Sequence, residues 1–167
     1  VYFDSTTPGG TAGINEWVQT TTDTATPLSP DTNYTYRVRA RNHDAVATAY
    51  GSSSSKRTLA RAPAAPTLSN PTINSLDIDV NANGNPATTV FAVRCTAATP
   101  ADANWSAKYV NAAGNPSATE VWQTDGTWAV ITINGLTSGR TYTFAVKARN
   151  GDGLQTAFGP EASLATP

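Results

Sequence analysis

The sequence predicts an all-β chain of two sandwich modules in tandem, the first lacking its N-terminal strands. Three observations predict it. The 167 residues include 27 Thr and 27 Ala, three Lys and no Met, a balance that favours strands and turns over long helices. Apolar residues alternate with polar ones along several short runs, the period of a half-buried strand. An internal repeat is also present: Leu28 to Gly51 aligns without a gap on Leu136 to Gly159, with 11 of 24 paired positions identical.

Taken in order, Glu16-Trp17-Val18-Gln19-Thr20 answers Glu120-Val121-Trp122-Gln123-Thr124 after a small length change. Tyr34, Tyr36, Val38 and Ala40 then form one face of a strand, and Thr35, Arg37, Arg39 and Arg41 the other. Leu59 to Pro66 is Pro-rich and almost uncharged, the composition of a semi-stiff connector. It divides the chain into 1–62 and 63–167. In the second part Ser75 to Val80 alternates strictly, Thr89 to Cys95 is a longer apolar strand, and Trp128 to Ile133 precedes the Leu136 turn. Tyr142, Phe144, Val146 and Ala148 repeat the inward row. Between them, Asn81 to Pro86, Asn111 to Pro116 and Asn150 to Gly153 are rich in Gly, Asn and Pro and close turns.

The spacing Leu-x5-Tyr-x-[Tyr/Phe]-x-Val-x-Ala-x-Asn, carried by Leu28 and Tyr34 and again by Leu136 and Tyr142, resembles the fibronectin type III family over the whole of each repeated stretch. The resemblance implies two immunoglobulin-like sandwiches with Tyr34 and Tyr142 as tyrosine corners. In that role the ring is buried, the hydroxyl satisfies a backbone group of the crossing loop, and the Leu plugs the end of the core. The family's Trp on the second strand is replaced by Val80, which leaves Trp122 or Trp128 to fill the core. The stretch from Thr67 to Leu136 is far longer than its counterpart from Val1 to Leu28, and the shortfall corresponds to three strands. The chain therefore reads as a fragment or processed product whose first module is completed by upstream residues or by another chain.

A formal charge of −1 and only 14% charged residues argue against a groove for nucleic acid, which needs clustered Lys and Arg. No apolar run approaches the roughly twenty residues that span a bilayer. A single cysteine, Cys95, forms no internal disulfide. Together with few Lys and abundant Thr, Ala, Asn and Gly, it fits a secreted or surface-bound bacterial protein.

Catalytic chemistry is sparse. His43 lies in a turn, and its separation from Cys95 gives no metal-ligand spacing. Cys95 shares a strand face with Phe91 and Val93 and reads as a small hydrophobe. Asp77 and Asp79 are about 7 Å apart by strand rise but face solvent, and Asp152 reads as a turn residue rather than a calcium ligand. Asn33 and Asn104 begin glycosylation-type triplets that arise readily by chance, and no Arg-Gly-Asp occurs. Arg37, Arg39, Arg41, Lys147 and Arg149 form an outward basic stripe that keeps the sheet soluble. Among the aromatics that stack sugar rings when exposed, Trp17 and Trp122 recur with the fold and read as core, whereas Trp105, in the loop-like Asp102-Ala-Asn-Trp-Ser106, is the candidate ligand contact.

The sequence thus predicts a non-catalytic extracellular spacer or assembly module of a larger repeat protein such as a surface layer, fibre or adhesin. No cofactor or metal is expected, and its partners are neighbouring modules, further copies or polysaccharide. The rival reading is a carbohydrate-binding accessory region of a secreted hydrolase.

Overall fold

The computed structural model describes residues 2–5, 16–17 and 25–167, with side chains from 25 onward. The chain forms two compact units, Val1–Thr58 and Leu59–Pro167.

In the first unit, β1 (Tyr2–Ser5), β2 (Glu16–Trp17), β3 (Asn33–Arg39) and β4 (Ser54–Arg57) make an antiparallel sheet in the order β2-β1-β3-β4. β3 is the alternating strand expected from period two. Its inner row is buried only at one end: Tyr34 is 2% exposed, whereas Val38 is 42% exposed. Leu28, expected to plug the core, is 37% exposed, because the described residues of this unit supply no second layer for it to enter.

The second unit contains β5 (Thr67–Ser69), β6 (Ser75–Asp79), β7 (Val90–Thr99), β8 (Tyr109–Val110), β9 (Pro116–Ser117), β10 (Gln123–Thr124), the helical turn α1 (Asp125–Trp128), β11 (Val130–Asn134), β12 (Thr141–Arg149) and β13 (Ala162–Ala165). One sheet runs β11-β6-β5 and the other β13-β12-β7-β8-β9, with β10 also on β7. Leu76, Ile78 and Ile133 of the first sheet pack on Phe91, Val93, Cys95, Phe144 and Val146 of the second, so this unit is an immunoglobulin-like sandwich with one core. The stretch from Trp128, expected as strand, begins instead in α1. Thr124 caps that turn by accepting from the Thr127 amide, and the chain becomes extended only at Val130.

Register relates the two units. Phe3 pairs with Val38 in β1 and β3, and Val93 pairs with Val146 in β7 and β12; Val38 and Val146 are repeat equivalents. β1 therefore stands where the third strand of the sandwich stands, which narrows the expected loss of three N-terminal strands. Counterparts of β5, β6 and β11 do not occur among the described residues of the first unit. The connector read from sequence is bonded to the second unit: Arg61 N–H donates to Asn85 Oδ1 (2.8 Å), and Asn83 Nδ2 donates to the Ala62 carbonyl (2.9 Å).

Candidate functional site

A tyrosine-centred turn precedes both β3 and β12. Period two buries Tyr142 completely at the start of β12. Its hydroxyl accepts from the Thr137 amide at 2.8 Å and donates to Asp102 Oδ2 at 2.5 Å. Tyr34 Oη accepts from the Ser29 amide at the same 2.8 Å. Leu136 is 5% exposed and lies in the core beside its Tyr. Asp102 is itself 5% exposed. Burial raises its carboxyl, but hydrogen bonds from Tyr142, the Asn104 amide and Thr137, with the charge of Arg140, outweigh burial and hold it below the usual carboxylate range.

Trp105 is not on the surface. The Asp102 carbonyl accepts from the amides of Trp105 (3.2 Å) and Ser106 (2.7 Å), and Asp102 Oδ1 accepts from the Asn104 amide (2.9 Å). This tight turn folds the indole inward, where it is fully buried, edge-on to Phe144 at 6.2 Å, with Nε1 donating to the Asn134 carbonyl. The expectation of an exposed loop tryptophan is corrected: no face of Trp105 is open to a sugar ring. Trp128 is the second interior tryptophan, 2% exposed, with Nε1 donating to the Phe91 carbonyl at 2.9 Å.

Trp122, expected in the core, lies half-buried on the outer face of the β7–β12 sheet. There Arg149 stacks on its ring at 4.4 Å. Lys147 approaches the rings of Phe158 (5.3 Å), Trp122 (5.4 Å) and Tyr109 (5.7 Å), and Arg94 those of Tyr109 (5.6 Å) and Phe158 (5.8 Å). Glu120 anchors the group, its Oε1 accepting from Lys147 Nζ (2.5 Å) and Tyr109 (3.1 Å) and its Oε2 from Trp122 Nε1 (3.1 Å). The bond from Lys147 holds Glu120 below the usual carboxylate range against its partial burial. With Gln155 Nε2 as a fourth donor at 3.5 Å, this carboxylate is a structural anchor. In the first unit Arg37 and Arg39 lie over Tyr50 at 4.0 and 4.7 Å. The basic stripe is therefore built into cation–π stacks on both units. Its legible signals were the aromatic that recurs before glycine, Tyr50-Gly51 and Phe158-Gly159, and the recurrence of Glu16 as Glu120; Arg94 carried none.

Across the sandwich, the outer face of β6 bears Asp77 and Asp79. Asn70 Nδ2 and Thr132 Oγ1 donate to Asp77 at 2.9 and 2.7 Å and lower its pKa. Burial, and then the charge of Asp79, raise that of Asp125. His43 and Asp152 are exposed in turns, and Cys95 is fully buried, which pushes its thiol up to about 12. The side chains of Tyr2 and Trp17 lie outside the described residues. Among the described residues no helix is long and apolar enough to cross a membrane, and no cluster of three metal-ligating side chains occurs.

No family model matches the chain, and no curated protein matches it. Among solved structures it is similar to the chicken CNTN1 FN1–FN3 domains, with 12% identity and a TM-score of 0.45 over 83% of this chain and 42% of that one. It is also similar to domains d3–d4 of the rat CD45 extracellular region, with 16% identity and a TM-score of 0.43 over 90% of this chain and 71% of that one. The chain thus spans less than half the length of the first of these structures.

Proposed function

We propose that the chain is a non-catalytic extracellular structural module: tandem fibronectin type III-like units, read as 1–62 and 63–167, that serve as spacer or assembly elements of a larger repeat protein at a cell surface. The observation that carries this reading is the hydrogen-bond-for-hydrogen-bond repetition of one hairpin. The amides of Gly51 and Gly159 donate to the carbonyls of Val38 and Val146, each at 2.8 Å. Thr48 Oγ1 and Thr156 Oγ1 accept from the amides of Ala40 and Ala148, each at 3.0 Å. Asn42 Oδ1 and Asn150 Oδ1 accept from the amides of Val46 (2.9 Å) and Leu154 (2.8 Å).

A scaffold duplicated down to its turn bonds, with side-chain chemistry committed to packing, supports a role in which the folded body itself is the working part. The low charge and single buried thiol support an extracellular setting. The test is a glycan array probed with the intact chain and with Trp122→Ala, since Trp122 is the half-buried indole. Absence of saturable binding supports the structural reading. Saturable binding by the intact chain, whether or not Trp122→Ala removes it, overturns that reading in favour of a carbohydrate-binding accessory region of a secreted hydrolase.

A further inference from the structure

We propose that the second unit binds a second copy of this chain head to tail, the stacked-cation face of β7 and β12 in one copy docking on the acidic face of β6 in the next. This inference rests on the assembly reading above. Two features of the cation face carry it. Arg94 and Arg149 are each stacked on aromatic rings, and neither has a carboxylate partner among the described residues; Lys147, between them, is the one neutralised by Glu120. A guanidinium stacked by its face keeps its edge donors oriented and loses little side-chain freedom when an anion arrives. Arg94 pairs in register with Ala145, four positions before Arg149 on β12, so the two cations are separated by about 14 Å along the sheet.

The partner surface is on the same unit. Asp77 and Asp79 follow one another on the outward row of β6, about 7 Å apart. Asp125 lies near enough to feel the charge of Asp79. Neither Asp79 nor Asp125 has a cationic partner among the described residues. Val130, in register with Asp79 at the end of the ladder, is 59% exposed and adds an apolar side chain beside it. β6 belongs to one layer of the sandwich and β7 and β12 to the other, so the two faces point away from each other. Like faces repel, which disfavours a twofold dimer; unlike faces attract and leave one of each free, the heterologous geometry of an open-ended array.

Such a contact is weak and salt-sensitive, because the charges sit at the surface and the screening length falls from about 10 Å at 0.1 M salt to about 3 Å at 1 M. The experiment is sedimentation velocity of the full chain at low salt. The weight-average mass of the native chain should rise with concentration above the 17.4 kDa of one copy and return to it at high salt. Arg149→Glu and Asp79→Lys, each of which spoils one face, should remain monomeric alone and associate when mixed, because each supplies the face that the other lacks.

A native chain that stays monomeric, a single variant that still associates as the native chain does, or a mixture that stays monomeric overturns the proposal. Should either charge reversal fail to fold by circular dichroism, Arg149→Gln and Asp79→Asn take its place with a weakened, concentration-dependent mass shift expected; unchanged association by them overturns it equally. Association that ignores both substitutions removes this geometry while leaving the assembly reading intact, which falls separately on the glycan array.

Discussion

Tyr34 and Tyr142, equivalent positions of the internal repeat, each accept a hydrogen bond of 2.8 Å from the amide five positions upstream, Ser29 and Thr137. Among the described residues only Tyr142 has a second hydrogen-bond partner, the buried Asp102. Tyr142→Phe therefore strands a backbone amide and removes one of three hydrogen bonds to the Asp102 carboxylate, at a cost of about 1–3 kcal/mol. Tyr34→Phe strands an amide alone, on a strand whose Val38 is 42% exposed, and is expected to cost about 1 kcal/mol or less. Urea unfolding of each variant, followed by the signal of its own unit, checks the asymmetry.

Trp105→Ala empties a fully buried site and removes the bond to the Asn134 carbonyl. The expected loss is about 3–5 kcal/mol for the second unit. Trp122→Ala, on the outer face, should cost about 1 kcal/mol, the scale of a stacked cation pair. Thermal denaturation of the two variants side by side should rank them in that order, the reverse of the order expected if Trp122 were the core residue.

Gly159 lies against the connector. A Cβ there would stand 2.2 Å from the Pro63 carbonyl oxygen, so Gly159→Ala must push the segment that Asn83 and Asn85 hold. A loss of about 2 kcal/mol or more is expected. Limited proteolysis near Ala62 should quicken in the variant and stay unchanged in the equivalent Gly51→Ala, where the nearest atom is 3.5 Å away.

Asp102 and Glu120 both titrate below their unfolded values. Groups depressed in this way contribute stability above an unfolded pKa of about 4 and lose it as pH falls through the folded value. The urea midpoint of the second unit should drop as pH falls from about 5 to about 2.5. Asp102→Asn should lower the midpoint at neutral pH and flatten the dependence; a slope identical to the native one would contradict the assignment.

Cys95, fully buried with its thiol pushed up to about 12, should be almost inert to thiol reagents in mildly alkaline buffer and react at the rate of a free cysteine in denaturant. Labelling followed by intact mass measures both rates.

Period two and the tyrosine spacing made β3, β6, β7 and β12 legible, because a strand with one buried face writes its register directly into the alternation. Trp128, one of the two tryptophans expected to fill the core, does so; Trp105 and Trp122 were not legible. Trp105 looks like loop because Asp102-Ala-Asn is turn-forming, yet that same turn carries the indole into the core. Trp122 recurs with the fold but does so from the outer face, held by Arg149 and Glu120, so recurrence distinguished structural from variable residues without distinguishing inside from outside. The Thr124 cap overrides the apolar run at Trp128 by offering the local backbone a helical turn. The stacked cations were visible as an alternating row and Tyr50 and Phe158 as recurring aromatics, but their pairing joins separate strands and turns, which no local pattern announces.

Among the described residues the second unit has two layers and the first has one, a difference tested most directly by native-state amide hydrogen exchange at repeat-equivalent positions. Val146 and Ala148, under a closed core, should exchange only through global opening of their unit. Val38 and Ala40 should exchange faster by on the order of a hundredfold or more, through local opening. Equal protection at the paired positions would mean that a second layer covers both sheets, and would contradict the account.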